Sequence, residues 1–424
     1  MFSDSLEYLN RKQTPFRPPN FTPAEIHAAI PPELKRKSTT KAITYVSRDI
    51  IVSLLLYILC LYIDSIPPVL ISCYGVNRTA AVSIGWILWL IYWWCQGIVL
   101  AGWWCLAHEA GHGNLSDHTL INHVVGFALH TSLLVPYYSW RSTHNAHHNA
   151  TGSIERDENY VPRTRTYFGL PDPSSAHIVH YRDIFEETPL YTLIRMLIMQ
   201  TFGWQSYLLF NTLGSLRYPR GTNHFYPSSA LFKANEYSKI VVSNAGLILV
   251  TSLLMRYTSL HGFLALFKHY ILPYLLANHW IVMLTFLQYS DPTIPHYRGS
   301  QWTFVRGALA TVDRPLLGWV GRVFFHNVSH DHIAHHLFSF GYLATDNQPK
   351  VTEIIRPILG EHYNYDSTNS FYALYRSFTK CCFVENEGDI LLYKDRSGHT
   401  QRSLDVGMLQ DIRDENLRVT TCHA

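Results

Sequence analysis

The chain has 424 residues, of which 47% are hydrophobic and only 15% charged, and a net charge of +3. The charged fraction is well below the roughly 25% of ordinary soluble domains. With so small a positive balance and no basic tract interleaved with aromatics, nucleic acid is excluded as a partner. The seven cysteines show neither disulfide nor zinc-ligand spacing, which excludes a cystine-stapled fold and a thiolate metal site.

Residues 1–42 read as a polar, proline-containing N-terminal segment with no apolar core of a cleaved signal peptide. A short amphipathic helix is predicted within Phe21 to Ile30, and Ser38-Thr39-Thr40 is placed to open a longer one. Lys35-Arg36-Lys37 precedes the first apolar run, which puts this end in the cytosol by the positive-inside tendency. Ile50 to Ile63, extended back to about Ile43, and Ala80 to Leu106 are long apolar runs on either side of Pro67-Pro68. A span needs about 20 apolar residues, so the two runs predict a helical hairpin. The second run is long enough to leave the bilayer and carry His108 and His112 beyond it.

Leu120 to Pro136 holds Asn122, His123 and His130, and Leu190 to Leu213 holds Arg195, Gln200 and Gln205. Such groups are costly at mid-membrane, so both stretches are predicted to be interfacial or shallow helices. Ile240 to Met255 and Phe263 to Leu287, joined near His261-Gly262, predict a second hairpin. The membrane domain is placed at 43–395 and a polar tail at 396–424, poorly ordered from about Lys394.

Eight histidines fall in three tight groups: His108 and His112; His144, His147 and His148; His332, His335 and His336. Positions i, i+3 and i+4 share one helix face, so each group aims its imidazoles one way. Imidazole suits iron, zinc, copper and nickel, and eight nitrogens are enough for two metals. If only the two hairpins span, all three groups lie on the N-terminal side; a further span would divide them between opposite faces. The fold class predicted is therefore an all-α membrane protein, with four transmembrane helices in two hairpins and a cytosolic helical cap holding a histidine-rich di-iron site. An all-imidazole site beside a membrane points to iron and to oxygen activation on an apolar substrate. The Glu-x-x-His pattern of soluble di-iron bundles is absent.

The text around these groups is distinctive: His108-Glu109-Ala110-Gly111-His112; Trp140 through His148; Gly152 through Glu158 followed by Val161-Pro162; Asp291-Pro292-Thr293-Ile294-Pro295-His296-Tyr297; Thr311-Val312-Asp313-Arg314; and Phe325 through Phe338. In these motifs the chain, from about residue 20 to 395, resembles the membrane fatty acid desaturases, in particular the delta-12 (omega-6) oleate desaturase group of fungi and plants. The resemblance implies a non-haem centre of two iron ions held by the eight histidines. It implies removal of two hydrogens from adjacent methylenes of a membrane lipid's acyl chain, near carbon 12 of an 18-carbon chain. It implies O2 as oxidant, and electrons from NADH through cytochrome b5 and its reductase. No His-Pro-Gly-Gly haem motif is present, so cytochrome b5 is expected as a separate partner, and the endoplasmic reticulum membrane as the location, with both termini cytosolic.

Glu109, Asp157, Glu158 and Asp331 are candidates to orient imidazoles from behind, and Asn327 to contact a metal-bound water. Trp93, Trp94, Tyr137 and Tyr138 are candidates to line an acyl tunnel. The chain departs from the family pattern at Ala110, where cysteine is usual, at Gly113, where His or Gln is usual, and at Tyr289, where relatives commonly carry a histidine that supplies a further ligand. The stretch Leu337 to Asp346 also lacks the turn expected there. These departures raise an alternative, a delta-12 acetylenase or further desaturase acting on linoleoyl chains. An alternative of another class, a histidine-rich membrane metal transporter or receptor, would place ionisable residues at the centres of several spans, whereas here the histidines cluster near span ends.

Overall fold

Ser38 accepts a hydrogen bond from the Lys41 N–H at 3.4 Å and caps α3, Thr39–Cys60, so the predicted start of the first long helix is where the chain places it. The computed structural model describes residues 3–338, 347–405 and 407. Two short helices precede α3: α1, Leu6–Gln13, and α2, Pro23–Ala28, the latter closed by a capping box between Thr22 and Glu25. After α3 the chain turns into α4, Ile66–Tyr74, and then α5, Arg78–His112. Pro67 and Pro68, which separate the two apolar runs, stand in the first turn of α4, where a missing N–H leaves no hydrogen bond unmade.

Four segments are long and apolar enough to cross a membrane: Thr39–Tyr74, Arg78–His112, Ala234–His261 and Phe263–Tyr289. These are the two predicted hairpins. The second comprises α10, Tyr237–His261, then α11, Phe263–Leu266, a π-helical turn over Phe267–Ile271, and α12, Leu272–Tyr289. α3 and α10 present Ile51, Leu54, Leu55, Leu249 and Leu253 outward, exposed as lipid-facing residues are. α5 and α12 form the inner pair. Gly97 lets them meet, because a Cβ there would lie 2.6 Å from Leu276 Cβ; one at Gly102 would lie 2.4 Å from the Phe324 carbonyl oxygen. α5 has 35 residues, about 50 Å at 1.5 Å per residue, well past a hydrocarbon core of about 30 Å. Its C-terminal end, with His108 and His112, therefore projects into the cap.

The cap is built from α6, Thr119–Ser132, α7, Tyr137–His148, α8, Ile178–Phe185, and α9, Pro189–Phe210, together with five helices after the second hairpin. α6 and α7 are jointly apolar enough for a span but meet at 109°, so they fold over the inner helices. α9 lies along α12. The later helices are α13, Phe304–Ala308, α14, Trp319–Phe324, α15, His332–Leu337, α16, Gln348–Leu359, and α17, Ser370–Lys380. The described sheet is a two-residue antiparallel pair, β1, His296–Tyr297, and β2, Ile390–Leu391. Of the unusual stretch after the third histidine group, residues 339–346 lie outside the described residues.

Both ends are tied into the cap. Lys37 Nζ donates to the Gly113 carbonyl at 3.1 Å, and the Phe16 N–H donates to the Ser403 carbonyl at 2.8 Å. The start of the tail, expected to be poorly ordered from Lys394, is folded back: Lys394 bridges Phe383 and Thr400, and Arg402 donates to the Thr14 carbonyl at 2.8 Å. Buried hydrogen-bonded backbone, not composition, decides order here.

A buried ion cluster locks this closure. Asp366 accepts from Arg376 at 2.5 Å and pairs with Arg314; Asp291 accepts from Arg314 at 2.8 Å and from Arg11 at 3.4 Å. Burial alone would raise the Asp366 pKa, but Arg314 and Arg376 overrule it and hold the carboxyl well below its ordinary range. A depressed carboxylate stabilises the fold at pH values above its unfolded pKa and loses that contribution as the pH falls through the folded value. Asp366→Ala leaves two buried guanidinium groups short of a partner, and unfolding in detergent should show a loss of about 3–5 kcal/mol.

Candidate metal centre

Each histidine group sits at a helix position that aims it inward. His108 and His112 occupy the last turn of α5, which ends at Gly113 in the left-handed conformation, φ +81°. His144, His147 and His148 end α7, and His332, His335 and His336 are on α15. The N-terminus of α15 is fixed from outside, since Asp313 Oδ1 accepts the Ile333 N–H at 2.8 Å. All eight imidazoles are buried.

The structure divides them unequally. His108, His112, His144, His148 and His335 place one ligand atom each within 4.8 Å of one another. His147, His332 and His336 gather beside them, linked by a parallel stack of His148 on His336 at 4.0 Å. Nitrogen–nitrogen approaches of 3.1 Å join His144 to His148 and His332 to His336. Two indoles brace the cluster, Trp104 stacking on His108 and Trp140 on His144.

Two predicted carboxylates stand behind the imidazoles. Glu109 Oε1 lies 3.2 Å from His108 Nδ1 and 3.0 Å from His335 Nδ1, and Asp157 Oδ1 lies 2.6 Å from His147 Nδ1. A carboxylate on Nδ1 leaves Nε2 as the free lone pair, the arrangement of a metal-binding imidazole. The other three candidates face elsewhere. Glu158 pairs with Arg217 and Tyr218, and Asp331 accepts from Arg322 at 3.2 Å. Asn327 Oδ1 accepts from Arg322 at 3.3 Å, a partner outside the histidine cluster. Ala110 packs among Ala42, Val46 and Leu129 on the outer side of α5.

The donor set fits a transition metal. His147 Nε2 and His335 Nε2 are buried with no hydrogen-bond partner among the described residues, which would cost free energy unless something binds there. Burial first, and neighbouring imidazoles second, push His144, His148, His332 and His336 well below the ordinary histidine pKa. They are neutral at physiological pH, the form that ligates metals.

An apolar cavity opens onto this cluster, lined by Trp104, Trp140, Tyr160, Trp204 and Phe286 and reaching His144 and Tyr289. The aromatics proposed for a tunnel lie elsewhere: Trp93 donates to the Lys268 carbonyl, Trp94 packs edge-on to Trp280, Tyr137 meets His123, and the Tyr138 N–H donates to Ser243. Helical spacing was the signal available for the residues that do line it, because Trp104 and Trp140 each precede a histidine by four positions. Asp49 was also missed. It is buried within α3 and accepts from His326 Nε2 at 2.7 Å, a carboxylate on a candidate span that is paired, as such groups must be.

A family model described as fatty acid desaturase matches residues 84–369, which contain all three histidine groups. The delta(12) fatty acid desaturase of Mortierella isabellina is 38% identical over 381 residues, covering 89% of this chain and 91% of the relative. The endoplasmic reticulum omega-6 fatty acid desaturase of Brassica juncea is 36% identical over 376 residues, 88% and 90% of the two chains. The oleate hydroxylase of Claviceps purpurea is 35% identical over 409 residues, 90% and 82%. With a match of this extent running through every histidine that the fold brings together, the chain belongs to the fatty acid desaturase family of iron-dependent membrane oxidoreductases.

Proposed function

We propose that this protein is an acyl-lipid desaturase of the endoplasmic reticulum membrane that converts oleoyl to linoleoyl chains. The observation that carries the reading is the apolar cavity that ends against His144 and Tyr289, beside the buried imidazoles. An acyl chain entering there is held by aromatic walls and reaches the donor set without meeting a charged side chain in the lining.

Two iron ions, held by His108, His112, His144, His148 and His335 and by His147, His332 and His336, would supply oxygen activation when bound. The overall reaction consumes O2, two electrons and two protons; two hydrogens leave adjacent methylenes, a C=C bond forms and two waters result. The chain's own residues position this chemistry. Glu109 and Asp157 hold imidazole tautomers, Trp104 and Trp140 hold two rings in plane, and the cavity wall excludes water. Electrons are proposed to come from NADH through a reductase and a separate cytochrome b5 docking on the cap, with both termini cytosolic.

Expression in an oleate-rich host that makes no linoleate, grown aerobically, tests the assignment. Linoleate should appear in the total lipid, as read by mass spectrometry with double-bond localisation. No new double bond, or a hydroxylated product alone, would overturn it. The same analysis, with linoleate fed, reports acetylenic products. The acetylenase alternative is not favoured, because several relatives of high coverage are delta(12) desaturases.

A further inference from the structure

Among the described residues, five histidines form one group and three the other. His147, His332 and His336 offer three nitrogens, and the next polar atom among them is the hydroxyl of Tyr289. This oxygen lies 2.9 Å from His332 Nε2 and 2.9 Å from His336 Nε2, which are themselves 3.1 Å apart. The His147 ring meets the Tyr289 ring edge-on, with centroids 4.7 Å apart, and its Nε2 has no hydrogen-bond partner among the described residues while Asp157 holds its Nδ1. Two imidazole nitrogens and one phenol oxygen thus meet at one buried point, with the His147 ring packed beside it.

The tyrosine is built into this position. It is the last residue of α12, and the preceding Gln288 is fixed at both ends: its carbonyl accepts from the Val312 N–H at 3.1 Å and its Nε2 donates to the Val328 carbonyl at 2.8 Å. Tyr160 stacks on the Tyr289 ring at 5.3 Å, and the Tyr160 and Thr285 hydroxyls are 2.6 Å apart. A side chain clamped in this way reaches the imidazoles without reorganisation.

We propose that Tyr289 Oη is a ligand of the metal held by His147, His332 and His336. The proposal rests on the iron-desaturase reading and deepens it: one site is all nitrogen, the other carries three nitrogens and one oxygen. As the oxygen–metal bond forms, the phenol proton is released to solvent, as in other ligand deprotonations. An anionic oxygen donor favours the ferric state, so the two sites differ in the ease with which they are reduced. Tyr289 also lines the cavity.

The test uses the full-length protein in detergent, loaded with ferrous iron and oxidised in air. Wild type should show a visible phenolate-to-ferric charge-transfer band, and excitation in that band should enhance tyrosine ring modes in the resonance Raman spectrum. Both signals should be lost in Tyr289→Phe and in Tyr289→His, with Tyr289→His keeping the wild-type iron content because imidazole replaces the lost donor. Tyr160→Phe should keep the band. A wild type that desaturates oleate with iron bound but lacks the band would overturn the ligand assignment and leave the desaturase reading standing, as would a band that survives in either Tyr289 variant. A wild type that binds no iron would overturn both.

Discussion

Replacing His335 by alanine is expected to reduce linoleate formation to background and to lower the iron bound to the purified protein. His335 is the member of the third histidine group that crosses into the five-histidine cluster, so it closes the centre between α5, α7 and α15. Its removal takes away one nitrogen and also strips Glu109 of one of its two imidazole partners. A buried carboxylate left short of a partner costs stability in its own right. The activity loss should exceed the 10–100-fold, roughly, that removal of an outer partner of a metal ligand produces. Product analysis and metal analysis on the same preparation check it. His177→Ala, at an exposed position ahead of α8, should leave both readings unchanged.

Glu109→Gln is the second large effect expected, about 10–100-fold in activity or iron affinity. Glu109 stands between His108 and His335 and accepts from Asn114 Nδ2 at 2.7 Å. A glutamine keeps the volume but loses the charge, and its NH2 must face either the Asn114 Nδ2 donor or the two imidazole N–H groups that share Oε1, so the tautomers are no longer held as firmly. The informative comparison is Asp331→Asn. Asp331 adjoins a ligand in sequence yet pairs with Arg322 in space, and it should affect iron content far less. An equal iron loss in the two variants would sink the claim that Glu109 acts through the imidazoles.

Much of this was legible in the chain. The spans could be read because a bilayer imposes a length on apolar helices, and the histidine groups because ligands on one helix face recur at i, i+3 and i+4. The division of the eight into five and three could not be read, since it depends on how α5, α7 and α15 meet across separations of up to 228 residues, as between His108 and His336. The same holds for the outer carboxylates. Glu109 and Asp157 turn toward imidazoles while Glu158 and Asp331 turn toward Arg217 and Arg322, and adjacency in sequence says nothing about that choice. Pro67-Pro68 marked the break between the two apolar runs but not the short helix that it opens, since the first helical turn accepts proline.

The link between Phe16 and the segment around Leu404 has a consequence for the order of events during synthesis. Phe16 is made early and pairs with Ser403 and Leu404, which leave the ribosome after nearly every other described residue. The first hairpin can enter the membrane while translation continues, but the N-terminal strap cannot seat until Ser403 and Leu404 have been made. The third histidine group is made before Ser403, so the eight imidazoles can gather, and meet iron, before this strap seats.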